Sequence, residues 1–153
     1  MGHAPLVNPN IMLVTASELG QTDLYPEIID KITRGNATEV EIQLATAEDV
    51  VKGYMGKYDL VAIFGQGTTL PTVESLSIKK IIKTLATWYL LKRANPNVNT
   101  ELVYDDYKVA VRWLEDLQAG KINLALPYAP VSDPASIEAG ISFNSLPKQR
   151  NFF

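Results

Sequence analysis

The sequence lacks cysteine altogether and contains a single histidine, His3. Without cysteine the chain cannot form disulfides, thiol nucleophiles or thiolate metal ligands, which fits a reducing compartment. We interpret His3 as a solvated terminal residue, so a Ser-His-Asp triad or a histidine metal site has almost nothing to use. We therefore expect no enzymatic activity, no metal and no cofactor.

Long apolar runs and an excess of basic residues are also missing. The longest apolar stretches, Leu60–Phe64 and Trp88–Leu91, are far shorter than the roughly 18 residues that a membrane-spanning helix needs. Residues 1–10 have neither the basic segment nor the apolar region of a secretory signal. A net charge of −3 provides no general attraction to nucleic acid. We expect a protein of a cytoplasm, or of a particle assembled there, with no membrane contact.

What the chain does contain is enough apolar material for one folded domain. It has 153 residues, of which 46% are hydrophobic and 20% are charged, as is typical of globular proteins. Composition divides it into an N-terminal tail at 1–10, a helical body at 11–122 and a C-terminal arm at 123–153. The predicted fold is mainly α: a compact bundle of about four to five helices with an extended C-terminal arm.

Capping residues and apolar spacing predict three helices in the first half of the chain. Thr15 and Glu18 have the spacing of a capping box at a helix start. Pro26 suits the first turn of a second short helix, which stops at Arg34-Gly35-Asn36. Apolar residues then recur in steps of three and four and predict a helix over 38–57.

The second half is predicted to begin with a loop and to contain two long helices. Segment 59–71 is rich in glycine and is interpreted as a loop, although its apolar run permits a short strand. The helix predicted over 72–94 is dense enough in apolar residues to be the most buried element. Asn95-Pro96-Asn97 ends it, and a last helix capped by Asn99 or Thr100 stops at Gly120.

The predicted arm combines helix-breaking prolines with large apolar side chains. A merely disordered tail should be poor in aliphatic and aromatic residues, whereas these residues recur along the whole arm. The arm is therefore predicted to bind a surface. The side chains expected to make contact in its last part are Ile141, Phe143, Leu146, Arg150, Phe152 and Phe153.

Pairs of acidic residues are the remaining candidates for chemistry: Glu39 and Glu41, Glu48 and Asp49, Asp105 and Asp106, and Glu115 and Asp116. Such pairs could bind a divalent ion or cleave a glycosidic bond. Neighbours in a helix do not face one another, however, and Lys52, Lys108 and Arg112 lie at the spacing of surface ion pairs. We interpret these carboxylates as solvated helix faces.

A group of basic residues on the 72–94 helix has two interpretations. Lys79, Lys80 and Lys83, with Lys92 and Arg93, could contact DNA or an acidic partner, or they could form a solubilising face, which we favour. Trp88 and Trp113 fit the apolar periodicity and are interpreted as core or interface anchors. The Gly65-Gln66-Gly67 sequence lacks the remaining residues of a phosphate-binding motif.

Four segments resemble one family in their order and spacing. The last helix, over 104–124, combines tyrosines and an arginine with Trp113-Leu114, an acidic pair and Ala119-Gly120-Lys121 followed by an apolar residue. An early Thr15-x-x-Glu18-Leu19 turn, a helix over 45–54 closing with Lys57-Tyr58-Asp59-Leu60, and a long apolar helix with Trp88-Tyr89-Leu90-Leu91 precede it. Over about residues 11–126 the chain is similar to the Mu-type tailed-phage head–tail connector family. Residues 1–10 and the long aromatic arm depart from that family's pattern.

The resemblance implies a structural adaptor of the virion neck, a head completion protein without covalent chemistry. Copies of it would form a dodecameric ring beneath the portal protein, extend the DNA channel used in genome packaging, and meet a tail or neck protein. The arm would contact the portal or a neighbouring copy, loop 59–71 would face a partner or the channel, and passing DNA would be touched transiently. The residues alone leave an alternative open, a small helical protein-interaction or DNA-binding regulatory module.

Overall fold

The computed structural model describes residues 12–22, 26–94 and 100–131, and within these ranges the chain is helical and has no β-strand. Two isolated β-bridges, Tyr58 with Tyr128 and Gln66 with Thr69, are the only sheet-like pairings there. The helices are α1 (Ala16–Thr22), α2 (Pro26–Thr33), α3 (Ala37–Tyr54), α4 (Leu60–Phe64), α5 (Leu76–Ala94) and α6 (Thr100–Gln118). The predicted mainly α bundle is confirmed.

Side-chain caps fix where the early helices begin. The Thr15 hydroxyl accepts from the Glu18 amide and the Glu18 carboxylate accepts from the Thr15 amide, each at 3.2 Å, so the predicted capping box is present. Asn36 caps α3 by accepting from the Thr38 amide at 3.1 Å. Between α2 and α3 the backbone takes positive φ values at Arg34 and Gly35, which reverse its direction.

The long helices α3 and α6 both run antiparallel to α5 around one core. Arg93, near the end of α5, forms an ion pair at 2.8 Å with Glu39 at the start of α3. Trp88 of α5 lies 4.9 Å, centroid to centroid, from Tyr104 in the first turns of α6. The short helices α1 and α2 pack against α3, and α2 also packs against α5. As predicted, α5 is deeply buried, with side chains of Ile78, Ile82, Leu85, Ala86, Leu90 and Leu91 at most 1% exposed.

Two boundaries of the sequence prediction are wrong, and both involve α4. The apolar run in segment 59–71 forms the short helix α4 and not a strand, because Asp59 caps it by accepting from the Ala62 amide at 3.1 Å. Helix α5 begins at Leu76 and not near residue 72, because the Thr72 and Val73 amides donate to the Ala62 carbonyl instead. The end of α4 therefore holds the loop that precedes α5.

Candidate assembly surfaces

The first part of the predicted arm is bound to the body. The Asp59 amide donates to the Pro127 carbonyl at 2.9 Å, and the Ala129 amide donates to the Lys57 carbonyl at 3.0 Å. Tyr128 stacks on the buried Tyr58, with ring centroids 5.3 Å apart and planes 11° from parallel. The Tyr58 hydroxyl accepts from the Leu124 amide at 3.3 Å. We call this set of contacts the arm anchor.

The arm anchor fixes where the chain leaves the helical body. Tyr58 follows α3, so residues 124–129 are held beside the C-terminal end of that helix. Ile122, Leu124 and Leu126 also pack against the core from this segment. The six predicted contact residues, Ile141, Phe143, Leu146, Arg150, Phe152 and Phe153, lie outside the described residues. What the structure adds is the anchored origin of the segment that carries them.

Helix α6 leaves apolar side chains on its outer face. It buries a single stripe, Ala110, Leu114 and Leu117, in the core. Leu102 and Val109 remain 67% and 68% exposed, and their seven-residue spacing places them on one face with Asp105 and Asp106 between them. We call Leu102, Asp105, Asp106 and Val109 the α6 strip. Apolar side chains left exposed together on one helix face make that face a candidate contact surface.

The aromatic residues at the α5–α6 junction form a connected cluster next to this helix face. Trp88 lies 5.7 Å from Tyr107, and Tyr104 lies 6.2 Å from Tyr107. The Lys108 ammonium lies 4.8 Å from the Tyr104 ring centroid and pairs with Asp105 at 2.8 Å. Burial raises the pKa of Tyr89, which packs edge-on against Tyr107. The predicted role of Trp88 as an anchor fits, because its half-buried ring joins the two helices.

Two further exposed leucines lie between the end of α4 and the first turn of α5. Leu70 is 65% exposed and Leu76 is 74% exposed, and Lys80 lies one helical turn beyond Leu76. We call Leu70, Leu76 and Lys80 the loop patch. Gly65 starts this loop with a φ of 78°, and a Cβ there would approach the Thr69 carbonyl oxygen to 2.5 Å. The loop is thus closely packed on itself near Gly65, and Leu70 projects from it into solvent.

The basic residues predicted as one group fall into two sites. Lys79 pairs with Glu74 at 3.0 Å and lies 3.8 Å from Glu18, and the hydrogen bond to Glu74 raises its pKa. Arg93 pairs with Glu39 at the far end of the helix. Lys80 and Lys92 are exposed, and Lys83 is half-buried. Lys79, Lys80 and Lys83 therefore do not present three unpaired cations to DNA.

The acidic residues behave mostly as solvated partners of nearby cations. Lys108 pairs with Asp105 and Lys52 pairs with Glu48, at the predicted spacings of three and four residues. Glu48 corrects the prediction of a solvated face, because it is buried and also accepts from the Leu13 amide at 3.0 Å. This carboxylate attaches the segment before α1 to α3. Nowhere in residues 12–22, 26–94 and 100–131 do three or more acidic or histidine side chains gather as metal ligands would.

Sequence reasoning missed the α6 strip and the arm anchor. The α6 strip was missed because Leu102 and Val109 lie among charged residues and outside the buried stripe of the helix. A search for apolar residues that depart from the helical period would have found them. The anchor joins Tyr58 to Tyr128 across 70 positions, since 128 minus 58 is 70, and no local pattern encodes that pairing.

Among the described helices none is both long and apolar enough to cross a membrane.

Comparison with known proteins places this arrangement in a family. No curated protein and no solved structure matches the chain. The family model described as Bacteriophage Mu, Gp36 matches residues 12–142, which covers the helical body, the arm anchor and part of the arm. A match of this extent indicates a phage structural protein associated with the virion. The chain therefore belongs to the Bacteriophage Mu Gp36 family of Mu-type phage proteins.

Proposed function

We propose that this protein is a head–tail connector subunit that joins the phage capsid to its tail. In this proposal copies of the chain form a ring, dodecameric by the resemblance, beneath the portal protein in the virion neck. The ring extends the DNA channel and offers its far side to a tail or neck protein. The observation that carries the proposal is the family match over residues 12–142.

The distribution of exposed apolar residues supports a ring-forming role. A closed ring of identical subunits needs two different surfaces on each copy, because each interface joins unlike faces. The body offers two such surfaces, the α6 strip with Leu102 and Val109 and the loop patch with Leu70 and Leu76. They come from different helices and do not share a residue.

The arm supplies the contact with the portal in this proposal. Ile141, Phe143 and Leu146, with the terminal Phe152 and Phe153, provide apolar groups that a partner surface would bury. Arg150 adds a cation among them. The arm anchor is useful for such a contact, because it fixes the starting point of the arm and so reduces the conformational freedom lost on binding.

The protein acts by docking, with no covalent chemistry and no cofactor, in this proposal. The net charge of −3 suits the wall of a channel through which DNA must slide without being held. The ion pairs of Lys79 and Arg93 also weaken the case for the alternative DNA-binding regulator, since they reduce the positive charge available for phosphates.

Co-production of this chain with the portal protein of the same phage tests the proposal. A tag on the portal should recover a complex in which electron microscopy shows a ring of this chain stacked on the portal ring. A variant with Phe143, Phe152 and Phe153 all changed to alanine should lose the portal and stay folded. Ile42→Ala, at a half-exposed position on α3, is the matched control and should bind normally.

A chain that stays monomeric and does not bind the portal would contradict the connector role. Salt-dependent binding of the isolated chain to DNA, with no affinity for the portal, would favour the DNA-binding regulatory module instead.

A further inference from the structure

Charge is distributed unevenly between the two longest helices. α5 carries five basic residues, Lys79, Lys80, Lys83, Lys92 and Arg93, and no acidic residue. α6 carries five acidic residues, Glu101, Asp105, Asp106, Glu115 and Asp116, against the two basic residues Lys108 and Arg112. The two helices are neighbours, yet the ion pairs of Lys79 and Arg93 run to α1, to the loop before α5 and to α3.

Several charges are exposed on these helices, and two of them, of opposite sign, lie beside the exposed leucines. Lys80 on α5 and Asp106 on α6 are both exposed, and neither forms an ion pair within the described part of the chain. Each is a surface group whose charge is available to a partner molecule.

Each of these charges stands next to an exposed leucine at the same spacing. Leu76 and Lys80 are four residues apart on α5, and Leu102 and Asp106 are four residues apart on α6. Residues at that spacing share one helix face. The two surfaces therefore have the same design, an apolar side chain one turn before a charge, and the charges have opposite signs.

The leucines of the two surfaces lie near opposite ends of the body, so Leu76 and Leu102 do not cover each other within one chain. The contact between Trp88 and Tyr104 sets the relative position of α5 and α6. Leu76 lies twelve residues before Trp88 (88 minus 76), which is roughly 18 Å along the helix axis at 1.5 Å per residue. Leu102 is only two residues from Tyr104, so it lies near the opposite end of the body.

We infer that the α6 strip of one copy docks against the loop patch of the next copy and so forms the interface that closes the ring. Leu102 and Val109 meet Leu70 and Leu76, and Asp106 lies opposite Lys80. The interface joins unlike surfaces and can therefore repeat around a ring without leaving either surface uncovered. This inference rests on the proposed connector function and names the surfaces by which its copies meet.

Charge reversal tests the pairing directly, with ring formation on the portal measured by mass photometry. Lys80→Glu and Asp106→Lys should each raise the concentration needed for half-maximal ring formation by about tenfold or more, because each places like charges opposite each other. The chain that carries both changes should assemble close to the wild-type concentration. An equimolar mixture of the two single variants should also assemble, with the variants alternating around the ring.

Control variants separate a lost contact from a lost fold. All three chains should keep the wild-type circular dichroism and melting temperature, since both positions are exposed. Glu41→Lys, an exposed reversal on α3, should assemble like the wild type. The inference is overturned if the single reversals assemble normally, or if the chain with both reversals assembles no better than either single variant.

A rescue experiment distinguishes the loop patch from the chain's own C-terminal arm. Lys148 and Arg150 are basic residues beside the apolar end of the arm, and they are further candidates for a partner of Asp106. Reversal of both to glutamate should leave the defect of Asp106→Lys unchanged. If that change restores the assembly of Asp106→Lys and Lys80→Glu does not, the α6 strip binds the arm and the inference is overturned.

The outcome for the wild-type chain separates this inference from the proposed function. If the wild-type chain forms rings and every charge-reversal variant forms them equally well, the proposed pairing is wrong and the connector role still stands. A wild-type chain that forms no ring even with the portal would contradict the connector role itself.

Discussion

Helices α5 and α6 have the same length, 19 residues, and lie side by side, but they bury their side chains differently. α5 is enclosed by α2, α3 and α6 and has fully buried side chains on several sides. α6 buries one stripe and leaves Leu102 and Val109 exposed. The core is thus built around α5, whereas α6 has one face packed in the core and another face, with Leu102 and Val109, exposed to solvent.

This difference in burial means that apolar side chains on α5 stabilise the folded chain, whereas the exposed ones on α6 are available for assembly. Apolar side chains on α5 lose contact with water when the chain folds, which stabilises the folded state. The exposed leucine and valine of α6 contribute little to folding, because they remain in water, and can contribute only when a partner covers them. The same residue type should therefore have a large effect on unfolding in one helix and a small effect in the other.

The largest expected effect is on the stability of the core. Leu85→Ala on α5 removes a side chain that is 0% exposed, so the free energy of unfolding should fall by about 2–5 kcal/mol. Leu102→Ala on α6 removes the same atoms from a side chain that is 67% exposed, and the change should stay within about 0.5 kcal/mol. Urea unfolding followed by circular dichroism measures both. Equal losses at the two positions would show that Leu102 contributes as much to folding as the buried Leu85.

A second prediction compares two glycines with nearly the same backbone conformation. Gly65 precedes the loop that leads to α5 and Gly120 follows α6, with φ values of 78° and 79°. Gly65→Ala should cost about 1–3 kcal/mol, because the positive φ is joined by a clash with the Thr69 carbonyl. Gly120→Ala should cost roughly 1 kcal/mol, because its Cβ would meet only the flexible end of Lys57. Thermal unfolding ranks the two, and a larger loss at Gly120 would contradict the described loop.

A third prediction concerns the arm anchor. Tyr128→Ala removes the stacked ring beside Tyr58 and should cost about 0.5–1.5 kcal/mol. Hydrogen exchange should speed up at the Ala129 amide, which donates to the Lys57 carbonyl, while amides inside α5 keep their protection. Val131→Ala, at a position 91% exposed, serves as the control. Unchanged exchange at Ala129 would show that the stacking does not hold the segment.

The smallest expected effect is a loss of stability at alkaline pH. Burial, with the neighbouring Tyr107 and Tyr54, raises the pKa of Tyr89 above its ordinary value of 10.0. The unfolded chain then loses this proton first, so the stability is complete below about pH 10 and is lost as pH rises through the folded pKa. The raised pKa of Lys79 acts in the same direction. Melting temperatures at about pH 9 and about pH 11 should differ less in Tyr89→Phe than in the wild type. An equal fall in both chains would contradict the role of this tyrosine.

The sequence predicted those parts of the fold that depend on neighbouring residues. The Thr15 and Glu18 capping box, the turn after α2 and the left-handed Gly120 all follow from local chemistry and are present. The deep burial of α5 also followed from its apolar density. The resemblance over the helical segments agreed with the family match over residues 12–142.

The parts that the sequence did not predict depend on contacts between distant residues. The start of α5 at Leu76 was not predicted, because the Thr72 and Val73 amides donate to the Ala62 carbonyl of α4 and no local pattern encodes those bonds. The burial of Glu48 depends on the Leu13 amide, 35 positions away. The α6 strip was also not predicted, because the exposure of Leu102 and Val109 depends on how the helices pack in the bundle.

Deletion of the gene for this chain from its phage, followed by electron microscopy of the lysate, tests whether the chain joins the head to the tail. We expect DNA-filled heads and separate tails that do not join, with complete particles restored when the wild-type chain is supplied from a plasmid. Complete, infectious particles without the chain would contradict its role as the connector between head and tail.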